Sequence, residues 1–301
     1  MKKFVLLFLL CSTFFAAQNN ALRKQINTIT KGKNSTIAVS VKGIDFPFQF
    51  DNSNASKKLP MLSVFKFHIA CAVLHQVDEG KLNLNQKILI RKSDFLENTW
   101  SPIREKYPNG NIELSLDEIL KYTVSQSDNN GCDILLRLIG GTKAVQELMN
   151  SKGIKNFQIK YNEEEMHKGV AYLYQNYTTT KSLTSLLKAF YQKEIISSES
   201  TDYLYQIMLQ TSTGINKLKE QLSNGIVAHK TGSSGKVGNL TIAENDAGIV
   251  TLPNGKKYSI AVFISDSTED EVVNCKIISD ISKIVYDDLS NVKSGFFFYT
   301  K

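Results

Sequence analysis

No Cys-x-x-Cys, His-x-His or His-Glu-x-x-His spacing occurs in this 301-residue chain, and it holds only four histidines. A zinc site built on such spacings is excluded, and neither metal nor cofactor is expected. No run of five basic residues occurs either. The net charge is +7, but its lysines are scattered, which describes a solvated basic surface and not a nucleic-acid partner. No internal repeat or low-complexity segment is present, so a repeat array is excluded. The apolar run Phe4–Leu10 is too short to span a bilayer as a helix, and no membrane span is expected after residue 17.

What is present begins with a leader. Lys2 and Lys3 precede Phe4–Leu10, and small residues follow at Ala16 and Ala17. This is the pattern of a secretory signal, with cleavage near Ala17–Gln18 and export across an inner membrane to the periplasm. Leu10 before Cys11 is a bulky residue that argues against lipid attachment there. The remainder is long enough for one large domain or two intimate lobes with real cores. It keeps Cys71, Cys132 and Cys275, an odd count that leaves at least one thiol unpaired. Cys71 and Cys132 lie in apolar helical stretches, where buried free thiols are the rule. A Cys71–Cys132 bridge is the alternative in an oxidising compartment.

The periodicity is segregated. Ile37–Val41 and Phe46–Phe50 flank a turn at Lys42-Gly43 and read as a hairpin. The middle is helical: Ser63 to Glu79, stopped by Gly80; a helix opened by the capping box Ser115-x-x-Glu118; Cys132 to Ile139, ended by Gly140-Gly141; Thr180 to Tyr191; and Ser198 to Leu209. Strands follow at Gly225–Lys230, Gly238–Asn245, Ala247–Pro253 and Lys257–Ser265. Turns are expected at Asn245-Asp246 and Pro253-Asn254-Gly255, and a last amphipathic helix covers about Thr268 to Leu289. Strands, helices, strands and helix in that order predict an α+β fold. Its antiparallel sheet is built from both ends of the chain, and a helical lobe is inserted between them.

Three short motifs carry chemistry. Ser63 and Lys66 lie one helical turn apart, so an amine stands beside a hydroxyl that needs a base. A helix start there also offers backbone N–H groups to an oxyanion. Ser-x-x-Lys recurs at Ser185–Lys188, Ser233–Lys236 and Ser290–Lys293, so alone it marks nothing. Ser127-Asp128-Asn129 occurs once, in a turn, and supplies a second hydroxyl and an amide with a donor and an acceptor. Lys230-Thr231-Gly232-Ser233 reads as a cationic strand in which Gly232 lets a substrate approach the backbone. Lys293-Ser294-Gly295 repeats the pattern without a strand around it.

In this order and spacing the motifs resemble the penicillin-recognising serine enzymes, and class A serine β-lactamases in particular. The stretch Tyr161 to Tyr177, with Met166-His167 and Tyr174-Gln175-Asn176, is most similar to their PER/VEB-like extended-spectrum branch. The resemblance implies an α/β lobe (18–61 and 211–301), an all-α lobe (62–210) and an active site between them. It implies hydrolysis of penicillins and cephalosporins, oxyimino-cephalosporins included, through a serine acyl-enzyme in a monomer that confers antibiotic resistance.

The same resemblance assigns roles. Ser63 is the nucleophile, and Lys66 the acylation base, directly or through Glu163 and a water. Glu163, beside the alternatives Glu164 and Glu165, activates the deacylating water. Ser127 relays a proton to the lactam nitrogen. Asn129 binds the acylamino side chain, and Lys230, Thr231, Gly232 and Ser233 hold the substrate carboxylate. The backbone amides of Ser63 and Ser233 form the oxyanion hole, and Trp100 stands at the rim. His167 stands where many class A members have the water-holding asparagine. An arginine that some members carry after Lys-Thr-Gly falls near Asn239, so Lys217 or Lys236 is expected to supply that charge. The rivals are a penicillin-binding DD-peptidase and a non-enzymatic β-lactam sensor. The Glu163 loop argues against the first, and the lack of a membrane tether against the second.

Overall fold

A computed structural model describes residues 19–223 and 226–291. The leader with Cys11, and the apolar tail Phe296 to Tyr299, lie outside the described residues. The two ends of the chain meet in one antiparallel sheet. Its order is Gln49–Asp51, Thr36–Gly43, Lys257–Ser267, Leu240–Thr251 and Val227–Ser233, with Lys236–Val237 pairing the start of Leu240–Thr251. The hairpin read from sequence is therefore closed onto the C-terminal strands, with Val39 opposite Val262 and Ala247 opposite Lys230.

The three inner strands are buried almost throughout, because both faces of the sheet are covered. On one face Val39, Val41, Ile260 and Val262 pack with Leu22 and Ile26 of helix 19–30, and with Ile277 and Ile281 of helix Glu271–Ser290. On the other face Ala38, Ala261 and Phe263 join the apolar cluster that fills the helical middle. Helix Phe65–Asp78 runs through that cluster. Every residue from Phe65 to Leu74 is buried, Lys66 and His68 included, so this part of the helix is enclosed on all sides and only its last turn reaches solvent. Helices Leu116–Ser125, Asn129–Ile139, Thr142–Ser151 and Ser198–Leu209 pack around it.

Several boundaries follow the sequence signals closely. Ser115 Oγ accepts from Glu118 N at 3.2 Å while the Glu118 carboxylate accepts from Ser115 N at 2.8 Å, the reciprocal box expected of Ser-x-x-Glu. Thr180–Tyr191 and Ser198–Leu209 are helices with side-chain caps from Thr179 and Ser197. Cys71, Cys132 and Cys275 are free and buried, so the Cys71–Cys132 bridge does not form, and burial pushes the Cys275 thiol up to about 12.

Two expectations are corrected. The helix expected from Cys132 starts at Asn129, because Asp128 accepts from Gly131 N at 2.7 Å and caps it earlier. The turn expected at Asn245-Asp246 does not exist: Leu240–Thr251 is one continuous strand of 12 residues. Both polar side chains there have buried partners. Asn245 Nδ2 donates to Pro60 O (2.8 Å) and Met61 O (3.2 Å). Asp246 binds His229 Nδ1 at 2.9 Å and accepts from Leu218 N at 3.2 Å. Asn-Asp marks a turn only where solvent takes the side chains, and here the protein does.

Asn245→Leu removes the side-chain donor from Pro60 O and leaves Met61 O with Val64 N alone, at 3.2 Å. We expect a loss of about 1–3 kcal/mol in urea-denaturation stability, because a buried acceptor without a donor is costly.

Candidate active site

Ser63 lies on a short 3-10 turn, Leu62–Val64, that feeds directly into helix Phe65–Asp78. The backbone at Leu62 has φ +45°, a conformation that a leucine adopts only when its surroundings impose it. The surroundings are specific. Asn245 holds the Pro60 and Met61 carbonyls, and Met61 N donates to Asn176 O at 2.9 Å. Strand Val227–Ser233 presses against the same turn at Gly232. A Cβ there would run into Met61 O and approach Ser63 N and Val64 N at 3.1 Å. Gly232 is thus required by the turn that carries Ser63, a closer constraint than the substrate approach expected from sequence.

Helix geometry then carries Lys66 beneath Ser63. Lys66 Nζ lies 3.0 Å from Ser63 Oγ, 2.8 Å from Ser127 O and 3.0 Å from Glu163 Oε1, and it also donates to Asn129 Oδ1. An ammonium has three N–H groups, and four oxygens surround this one, so its protons are shared among them. Ser127 turns its carbonyl inward with φ +60°. That turn is fixed by Asp128, whose carboxylate accepts from Ser101 Oγ (2.9 Å), Ile103 N (2.7 Å) and Gly131 N (2.7 Å). Burial nevertheless raises the Asp128 carboxyl above the ordinary range. Ser127 Oγ accepts from Lys230 Nζ at 2.8 Å. Burial, with the Lys66 charge adding to it, holds the Lys230 ammonium well below the usual lysine range.

The three consecutive glutamates separate cleanly. Glu163 is buried and meets Lys66. Glu164 is exposed. Glu165 is spent on a capping box with Asn162, accepting from Asn162 N at 3.1 Å. Asp133, which the sequence reading passed over, sets this arrangement by accepting from Glu163 N (2.8 Å) and Glu164 N (3.0 Å). Asn176 fixes the loop's base, accepting from Lys160 N and Tyr161 N and donating to Tyr161 O. His167 is exposed, and its Nδ1 donates to Glu163 O at 2.7 Å; the ring braces the loop backbone.

A cavity of about 400 Å³ opens over these groups. Ser63, Ser127, Asn129, Thr231, Gly232, Ser233, Lys217 and Trp100 line it, while Lys66, Glu163 and Lys230 lie buried beneath. Trp100 is 55% exposed and donates through Nε1 to Gln126 O, which suits a rim position. Thr99, also passed over, takes the Asn129 amide at 2.5 Å. At the far end Thr213 Oγ1 meets Thr231 Oγ1 at 2.7 Å. Of the two cations weighed for this end, Lys217 lines the cavity, whereas Lys236 pairs with Asp270 at the surface. Asn239 does not occupy the strand position opposite Ser233; that residue is Glu244, ion-paired with Lys217. No signal in the sequence singled out Glu244, since its role depends on strand register.

Asp133 also generates a pH dependence. Burial pushes its carboxyl up to about 6 from the ordinary 3.8. The folded protein therefore holds this proton more tightly than the unfolded chain. The contribution is complete below about pH 4 and fades as pH rises towards 6. Asp133→Asn cannot titrate, so the stability advantage of wild type over the variant should be larger at pH 4 than at pH 7 in matched urea denaturations.

Known proteins resemble this chain over most of its length. Residues 21–289 match the family described as "Beta-lactamase enzyme family". The chain is 44% identical to β-lactamase VEB-1 of Pseudomonas aeruginosa over 298 residues, covering 94% of this chain and 96% of VEB-1. It is 41% identical to the extended-spectrum β-lactamase PER-1 of the same organism over 272 residues, covering 90% of this chain and 88% of PER-1. The crystal structure of TLA-3 extended-spectrum β-lactamase superposes with a TM-score of 0.88 at 47% identity, over 90% of this chain and 99% of that one. The protein thus belongs to the β-lactamase enzyme family, as a class A serine enzyme.

Proposed function

We propose that this enzyme opens the amide of penicillins and cephalosporins, oxyimino-cephalosporins included, through an ester on Ser63 that Glu163 then hydrolyses. The observation that carries the reading is the Lys66 ammonium held 3.0 Å from both Ser63 Oγ and Glu163 Oε1. One group thereby touches the nucleophile of the first step and the carboxylate of the second. With its own proton passed to Glu163, Lys66 as the free amine takes the Ser63 proton, or Glu163 takes that proton through a water, as Oγ attacks the lactam carbonyl. The backbone amides of Ser63 and Ser233 receive the oxyanion. The Ser127 hydroxyl, fed by Lys230, protonates the departing nitrogen. Asn129 binds the acylamino side chain beside Trp100. Thr231, Ser233, Lys217 and Lys230 face the substrate carboxylate. Glu163 then draws a proton from water as that water attacks the ester, and His167 orients the water only through the loop it braces.

A penicillin-binding peptidase would share the serine, lysine and Lys-Thr-Gly parts. The buried Glu163 favours the hydrolase, because a carboxylate 3.0 Å from Lys66 and beside Ser63 can draw a proton from the deacylating water. We place the lobes at 18–61 with 211–301 and at 62–210, with the cleft between them; of these, residues 18, 224, 225 and 292–301 lie outside the described residues. Among the described residues no helix is long and apolar enough to cross a membrane. Export to the periplasm as a monomer fits the leader motif.

Ser63→Ala should abolish turnover of a chromogenic cephalosporin, by at least 1,000-fold in kcat/KM on the scale of a lost nucleophile. Glu163→Ala should accumulate a covalent adduct visible by intact mass for minutes, against none in wild type. Full activity of the first variant, or rapid loss of the adduct in the second, would reverse the assignments.

A further inference from the structure

Two of the donors assigned to the substrate carboxylate are already occupied by a carboxylate of the protein. Glu244 lies opposite Ser233 in the strand register and accepts from Ser233 Oγ at 2.9 Å. Its other oxygen pairs with Lys217, which also reaches Asn245 O at 3.4 Å. The side chains of Lys217 and Glu244 are only 5% and 1% exposed. The loop carrying Lys217 is clamped onto the strand: at Gly214, with φ +61°, a Cβ would meet Thr231 Cγ2 at 2.6 Å and Lys217 Cδ at 3.1 Å. Glu271 adds a second, exposed carboxylate at the same end of the cavity. The cation expected to greet an anionic substrate is thus neutralised before the substrate arrives.

We propose that Glu244 is a specificity-determining residue that competes with the substrate carboxylate for Lys217 and Ser233. The proposal rests on the reading of the site given above. Glu244 cannot swing into water, because it is fixed in the sheet and buried. An incoming carboxylate therefore meets Lys217 with a like charge beside it. The same glutamate keeps Lys217 in place, since a buried ammonium without a partner is strongly disfavoured. Removing its charge while keeping its shape leaves Lys217 and Ser233 to the ligand alone.

The test uses two phenylboronic acids, one with a meta-carboxylate and one without, as reversible adducts of Ser63. The readout is the ratio of their inhibition constants. In Glu244→Gln the advantage conferred by the carboxylate should rise about tenfold over wild type, the scale of one charge at close range in a partly screened site. Glu271→Gln, altering an exposed charge, should move the ratio less than twofold. An unchanged ratio in Glu244→Gln, or an equal rise in Glu271→Gln, would overturn the proposal. Should Glu244→Gln fail to fold, Lys217→Gln is compared with Lys217→Gln/Glu244→Gln. With Lys217 gone the competition that remains is for Ser233, so the ratio should still rise on loss of Glu244, and no rise overturns the competition. Failure of the uncharged boronic acid to inhibit even wild type would instead refute the Ser63 site itself.

Discussion

One buried ammonium organises this molecule. Lys66 is fully enclosed, yet its Nζ meets oxygens from the Ser63 turn, the Ser127 turn, the start of helix Asn129–Ile139 and the Glu163 loop. A buried charge without partners costs several kcal/mol. The cheapest way to satisfy this one is to bring those four segments to a single point. The constraint fixes mutual positions that apolar packing alone would leave loose, and those positions are the ones that acyl transfer needs. Two of these segments are backed by further polar anchors. Asp128 holds the Ser127 turn, Asp133 the Glu163 loop, and Asn176 the base of that loop.

The sheet supplies the opposing wall. Strand Val227–Ser233 can lie against the nucleophile turn only because residue 232 has no side chain. The neighbouring strand reaches across with Asn245 to grip the same turn. Two left-handed non-glycine residues, Leu62 and Ser127, flank the cleft from opposite sides. Both are held by hydrogen bonds on either side, so their strain persists as preorganisation.

Much of this was legible in the chain. Thr180–Tyr191, Ser198–Leu209 and the Ser115 capping box were readable because propensity, caps and solvent exposure agree there. The motif residues Ser63, Lys66, Ser127, Asn129 and Lys230 were legible through their order around a unique Ser-Asp-Asn. What escaped are residues whose work is done by burial. Asn245 and Asp246 carry turn chemistry locally but are consumed by partners 185 and 17 positions away. Asp133 looks like one more helical polar residue until the loop folds onto it. Glu244 could not be found by counting from Lys-Thr-Gly, because the connection to the next strand is longer than the count to Asn239 assumed. His167, at the position where many class A members have the water-holding asparagine, is tied through its ring to the Glu163 carbonyl.

The central claim is that Lys66 serves both halves of the reaction. It is tested most directly by stopped-flow and quench measurements of the separate rates of acylation and deacylation in Lys66→Met, which keeps the buried stem and removes the charge. Both rates should fall by more than about 100-fold, the scale of a lost proton-transfer group. A variant that acylates slowly but releases its acyl group at the wild-type rate would contradict it.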